Sequence, residues 1–278
     1  MKKLLFVLAL VLSGCSYVPI NRLDPAIEKI VMAVPEIKGH DTYYKLYIIN
    51  PDGNKQLVPN STLPGMIKNV KWANNGKNII FYYEGPWHYL NEKEKGVYVV
   101  DENGENLKPI LKDIYHFAVL PDSKTLIYRQ SIKDYFVVNY DGTGKRLPQG
   151  EEINYLKIDV KGIRYYYSQD RSKMLWAELN NIYVSNKDLS GKWQLNKDAG
   201  YMNIRLYFNP MWDRRDNKIY YYLDHYSEFT GDNRGIMEIN ADGSGERMIL
   251  GLEPLGIEFT GNYWYTSNLD ISFDIFNK

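Results

Sequence analysis

The chain alternates short apolar runs, rich in aromatic and β-branched residues, with polar turns; no apolar run keeps the 3.6-residue spacing of a helix. Leu46-Tyr47-Ile48-Ile49 leads to Pro51-Asp52-Gly53, and Val97-Tyr98-Val99-Val100 leads to Glu102-Asn103-Gly104. Tyr135-Phe136-Val137-Val138 leads to Asp141-Gly142, and Ile236-Met237-Glu238-Ile239 leads to Asp242-Gly243. The glycines are 51, 38 and 101 residues apart, so a further copy is expected near residue 190. Asn181-Ile182-Tyr183-Val184 followed by Asp188-Leu189-Ser190-Gly191 fills that place. Glycine reaches positive φ without a steric penalty, and Asn and Asp tolerate it, so each copy predicts a strand ending in a tight turn. The near-identical stretches VNYDGTGKR (Val138 to Arg146) and INADGSGER (Ile239 to Arg247) are two such turns.

A second unit places a polar turn and a lysine before an apolar strand. Lys77, Lys124, Lys173 and Lys218 each open such a strand, at spacings of 47, 49 and 45 residues. The same step backward reaches Lys29, before Ile30-Val31-Met32, and forward reaches Tyr263, inside Gly261-Asn262-Tyr263-Trp264-Tyr265. A repeat of this length holding about four short strands is the signature of a β-propeller blade. One blade cannot bury both of its faces, so blades stack around an axis and cover one another. Six registers predict an all-β propeller of six four-stranded blades, with strands from both termini sharing one blade; a five-bladed ring with one extra hairpin is the alternative. Tyr165-Tyr166-Tyr167 and Tyr220-Tyr221-Tyr222 suit strands packed on both faces, as does the total of 25 tyrosines.

The combination of a turn such as Pro121-Asp122-Ser123-Lys124, a strand, and a following strand that ends in Asp-Gly resembles the repeats of TolB-type β-propellers, over roughly residues 27 to 265. The resemblance implies a fold rather than a function, because the matching positions are turn and core residues. Within this chain no α/β segment precedes the repeats as in TolB, so the role of TolB in its envelope system does not carry over.

The N-terminus changes the cellular picture. Met1-Lys2-Lys3 is followed by the apolar run Leu4 to Leu12, too short to span a bilayer, and then by Leu12-Ser13-Gly14-Cys15. The last four residues resemble a bacterial lipobox, which implies cleavage after Gly14 and acylation of Cys15. Residues 1–14 are then a lipoprotein signal peptide, 15–26 a lipidated tether and 27–278 the propeller. Several acyl chains, at about 0.8 kcal/mol per buried CH₂, hold a protein stably on a membrane. Ser16 rather than Asp follows the cysteine, which resembles outer-membrane sorting in a Gram-negative envelope. Cys15 is the sole cysteine, so no internal disulfide forms and the packed core must supply stability. The formal net charge is zero, with no basic run, which argues against nucleic acid as a partner.

Candidate chemistry is sparse. There is no Gly-x-Ser-x-Gly elbow, and a lipidated Cys15 is no nucleophile. The histidines His40, His88, His116 and His225 lack paired ligand spacing, so neither a metal nor a cofactor is expected. Asn240-Ala241-Asp242-Gly243-Ser244 resembles a calcium loop only in its opening residues, because the later bidentate acid is missing. Two repeats carry long aromatic insertions at the same place, Glu84-Gly85-Pro86-Trp87-His88-Tyr89-Leu90-Asn91 and Asp224-His225-Tyr226-Ser227-Glu228-Phe229. Strands alternate in direction, so these loops fall on the face opposite the lysine and Asp-Gly turns. With six blades they would oppose one another across the axis. Glu84, Trp87, His88, Tyr89, Asp224, His225 and Tyr226 are therefore the candidate binding residues. Taken together, the chain reads as a lipid-anchored extracytoplasmic module, periplasmic or on the cell surface, that binds an envelope protein or peptide without catalysis. A propeller-based lyase or glycosidase acting on carbohydrate is the alternative, and a structural module without a dedicated ligand is a third.

Overall fold

The computed structural model describes residues 27–38, 41–73, 76–85, 95–114, 116–120, 124–131, 133–150, 152–156, 165–178, 181–196, 203–213, 215–227, 233–252 and 272–277. Twenty strands run through them in chain order. Blade 1 holds β1 (Ile27–Lys38), β2 (Asp41–Ile49) and β3 (Lys55–Leu57), with β4 (Leu63–Pro64) set against β2. Blade 2 is β5 (Met66–Trp72), β6 (Asn78–Gly85), β7 (Gly96–Asp101) and β8 (Lys108–Lys112). Blade 3 is β9 (His116–Val119), β10 (Thr125–Arg129) and β11 (Tyr135–Asn139). Blade 4 is β12 (Tyr166–Tyr167), β13 (Lys173–Glu178), β14 (Asn181–Asn186) and β15 (Trp193–Gln194). Blade 5 is β16 (Asn203–Trp212), β17 (Lys218–Ser227), β18 (Asn233–Asn240) and β19 (Arg247–Gly251). The last strand, β20 (Ser272–Asn277), returns to blade 1 and pairs antiparallel with β1, Met32 opposite Phe273.

That return corrects the blade number. Each register lysine opens the second strand of its blade, and Lys29 does so on β1. The first strand of blade 1 is therefore β20, supplied by the C-terminus, so the described residues form five sheets and not six. The sixth register, at Tyr263, lies outside the described residues. The expectation that both termini share one blade holds.

The turn that follows the third strand has one construction in all five blades. A backbone amide at the turn's first residue donates to the carbonyl four residues on: Asn50 to Asn54, Asp101 to Glu105, Asn139 to Thr143, Asn186 to Ser190 and Asn240 to Ser244, at 2.9–3.1 Å. The fourth position takes positive φ in every copy, at 82° in Gly53, 77° in Gly104, 90° in Gly142, 67° in Leu189 and 85° in Gly243. Asp141, Asp188 and Asp242 each accept from both the backbone amide and the hydroxyl of the residue two further on. The Asn that begins those turns reaches the same hydroxyl. A Cβ on Gly144 or Gly245 would come within 2.7 or 2.8 Å of that Asn amide. The motif Asn-x-Asp-Gly-Ser/Thr-Gly recurs because each of its letters has a contact or a backbone angle to satisfy. Lysine turns and Asp-Gly turns meet on one face, where Glu102 donates to the Lys77 carbonyl and Tyr140 to that of Lys124.

Between blades the core is aliphatic and aromatic. Val31, Leu46 and Ile48 of blade 1 meet Ile67, Trp72 and Phe81 of blade 2. Ile80 and Val97 of blade 2 meet Leu126 and Val138 of blade 3. Leu175 and Val184 of blade 4 meet Ile219 and Tyr221 of blade 5. Tyr220, Tyr222 and Ile236 of blade 5 meet Ile30, Met32 and Phe273 of blade 1, which closes the ring. Tyr220-Tyr221-Tyr222 does pack on both faces of its strand, whereas in Tyr165-Tyr166-Tyr167 only the last two residues are strand.

Candidate functional site

The face opposite the turns is uneven. Beyond its register lysine, the second strand runs nine residues in blades 1 and 5, eight in blade 2, and five in blades 3 and 4. At about 3.3 Å per residue, blades 5, 1 and 2 rise roughly 10–13 Å above their neighbours. They are consecutive around the ring, so they form one wall with a low rim on the far side.

Each tall blade carries an acid near the top of its second strand, joined to a cation on an adjacent strand. Glu36 of β1 meets Lys45 of β2 at 2.8 Å, Glu84 of β6 meets Lys68 of β5 at 2.8 Å, and Asp224 of β17 meets Arg234 of β18 at 2.8 Å. In blades 2 and 5 a tyrosine lies two residues below the acid and so on the same side of the strand. Burial holds the Tyr222 phenol well above its usual range, with the Asp224 charge adding to it. Tyr82 is raised for the same two reasons, burial first and the Glu84 charge second. The hydrogen bond that Lys45 donates to Glu36 raises the Lys45 ammonium against the opposing effect of burial.

Of the seven candidate binding residues, Glu84 and Asp224 therefore sit on the wall, each neutralised within its own blade. His225 and Tyr226 extend β17, opposite Arg205 and Ile204 in the ladder; their side chains lie outside the described residues. Trp87, His88, Tyr89 and Cys15 also lie outside them. The two groups do not oppose one another across the axis. With five blades, blades 2 and 5 are about 144° apart with blade 1 between them. That intervening blade adds the Glu36–Lys45 pair, which the sequence motif did not single out. Among the described residues no group of three or more His, Cys, Asp or Glu is placed to hold a metal ion, and no helix is long and apolar enough to cross a membrane.

No family model matches the chain, and no curated protein matches it. Among solved structures, a protein of Agrobacterium tumefaciens described as TolB aligns over 89% of this chain and 91% of its own, at 15% identity and a TM-score of 0.38. An oligogalacturonate lyase in complex with manganese aligns over 69% of this chain and 53% of its own, at 15% identity and 0.33. The GH74 enzyme of Niastella koreensis aligns over 83% and 38%, at 11% identity and 0.37. Likenesses this distant carry no argument about binding or activity, and the architecture rests on the strand pairings themselves. The described residues form a five-bladed β-propeller, closed where its C-terminal strand pairs with its first.

Proposed function

We propose that the chain is an extracytoplasmic β-propeller, anchored through acyl chains on Cys15, that binds an envelope protein or peptide on the wall of blades 5, 1 and 2. The observation that carries the reading is the height of those three consecutive blades, which raises Glu36–Lys45, Glu84–Lys68 and Asp224–Arg234 above the rest of the ring. The opposite face is built from short turns locked by their own hydrogen bonds, a stiff base rather than an adaptable surface. Ile27 begins β1 two residues before Lys29, on the side of the lysine turns. β1 thus enters the ring at the base, and in this reading the wall is the face turned away from the membrane.

Two measurements test the two halves of this reading. Metabolic palmitate labelling is expected in the native chain and absent from Cys15→Ala; unlabelled native chain would remove the anchor. Capture from envelope extracts is expected to yield one saturable protein partner. Lys45→Glu or Lys68→Glu on the wall is expected to weaken capture about tenfold or more, with Lys145→Glu on blade 3 as the neutral control. A blank with native chain, or capture indifferent to both wall reversals, would remove the binding surface.

A further inference from the structure

We propose that the junction of blades 3 and 4 is the joint at which the ring opens, and that the 3-10 turn Glu152–Leu156 is the wedge that holds it shut. A ring closed by a terminal strand is expected to fail where its two ends meet, at blade 1. Here that neighbourhood is the best sealed. The cluster joining blades 5 and 1 contains thirteen buried residues, and the one joining blades 1 and 2 contains fourteen, both drawn from the two blades concerned. Asp274 of β20 adds a pin, accepting from the Trp72 amide of β5 at 2.7 Å and meeting Lys71 at 3.3 Å.

Blades 3 and 4 share no such cluster among the described residues. Leu120, Ile127 and Val137, all of blade 3, are the three buried members of the cluster there. They pack against Tyr155 and Leu156 of the wedge rather than against a blade 4 strand. The wedge then reaches blade 4 through polar and ring contacts: Arg171 donates to the Tyr155 hydroxyl at 2.8 Å, and the Tyr155 and Tyr167 rings lie 5.8 Å apart. On the other side, Arg146 grips Glu152 through two bonds of 2.7 and 2.8 Å.

The strand faces at this seam also carry polar and charged groups beside that cluster. Strand alternation puts His116, Arg129 and Tyr135, which are neighbours in the ladder, on the blade 3 side. On the blade 4 side it puts Trp176 stacked on Tyr183, with Lys192 over the Tyr183 ring at 3.8 Å. The seam also lies under the low part of the rim.

Thiol labelling of the folded protein reads seam opening directly. In a chain carrying Cys15→Ser, one buried reporter is placed in each seam: Ile30→Cys, Val31→Cys, Leu126→Cys, Ile127→Cys and Ile182→Cys. Ile127→Cys, or Val137→Cys if the first does not fold, is expected to react at least about tenfold faster than the other four. Tyr155→Phe and Arg146→Gln are expected to raise that rate several-fold and leave Ile182→Cys unchanged. Equal rates at all five seams, or fastest reaction at Ile30→Cys, would overturn the proposal. A rise at every seam in the wedge variants would overturn the wedge's role.

Discussion

Leu189 holds in blade 4 the turn position that Gly243 holds in blade 5, at a φ of 67° against 85°. A leucine there crowds its Cβ against the backbone and leaves its side chain 55% exposed. Leu189→Gly is expected to stabilise the fold by about 1 kcal/mol, near 2 °C in Tm for a chain of this size. Gly243→Leu is expected to destabilise it by a similar amount. Thermal melts followed by circular dichroism check both, and a lower Tm for Leu189→Gly would contradict the shared turn geometry.

Asp274 ties the closing strand to the next blade. It is 8% exposed, and its two oxygens serve the Trp72 amide and Lys71. Asp274→Ala leaves a buried amide without its acceptor and is expected to cost about 3 kcal/mol, while Asp274→Asn, which keeps an acceptor, is expected to cost about half as much. Guanidinium unfolding midpoints measure both. Equal midpoints for native chain and Asp274→Ala would show that the pin does not act.

The turns also set the response to acid. Hydroxyl and amide donors of Thr143, Ser190 and Ser244 hold Asp141, Asp188 and Asp242 below the usual carboxylate range. The Ser172 amide, then the Ser168 hydroxyl, lowers Asp170, and Arg146 lowers Glu152. Because each folded value lies below the unfolded one, these groups stabilise the fold fully above about pH 5 and progressively less as pH falls through 4. Tm is expected to drop between pH 6 and pH 3, and to drop less in the double variant Thr143→Val, Ser244→Ala. A Tm independent of pH across that range would contradict the expectation.

These turns are also where the sequence spoke most plainly. Their bonds close within four residues, so Asp188-Leu189-Ser190-Gly191 could be read as a turn even without its glycine in the usual place. The register lysines were equally readable, and their miscount has a definite cause. A period marks strands, but only pairing shows that the strand after Lys29 takes its first neighbour from residues 272–277. On the wall, Glu84 and Asp224 could be picked from their loops. Their partners could not, since Lys68 and Arg234 come from the strands on opposite sides, before β6 in one blade and after β17 in the other. Contacts such as Asp274 with Trp72, 202 residues apart, leave no local trace, and neither does a wedge that replaces sheet-on-sheet packing between two blades.

Ring closure can be tested with two small residues. Ala33 and Ser272 are partners across the β1–β20 pair. Cα atoms of antiparallel partners lie about 4.5–5.5 Å apart, within disulfide reach. In a Cys15→Ser background, Ala33→Cys with Ser272→Cys is expected to oxidise to a single intramolecular disulfide, seen as loss of free thiol in the folded protein and a 33–272 cross-link by mass spectrometry. A folded protein in which both thiols stay free under oxidation would contradict the five-bladed ring.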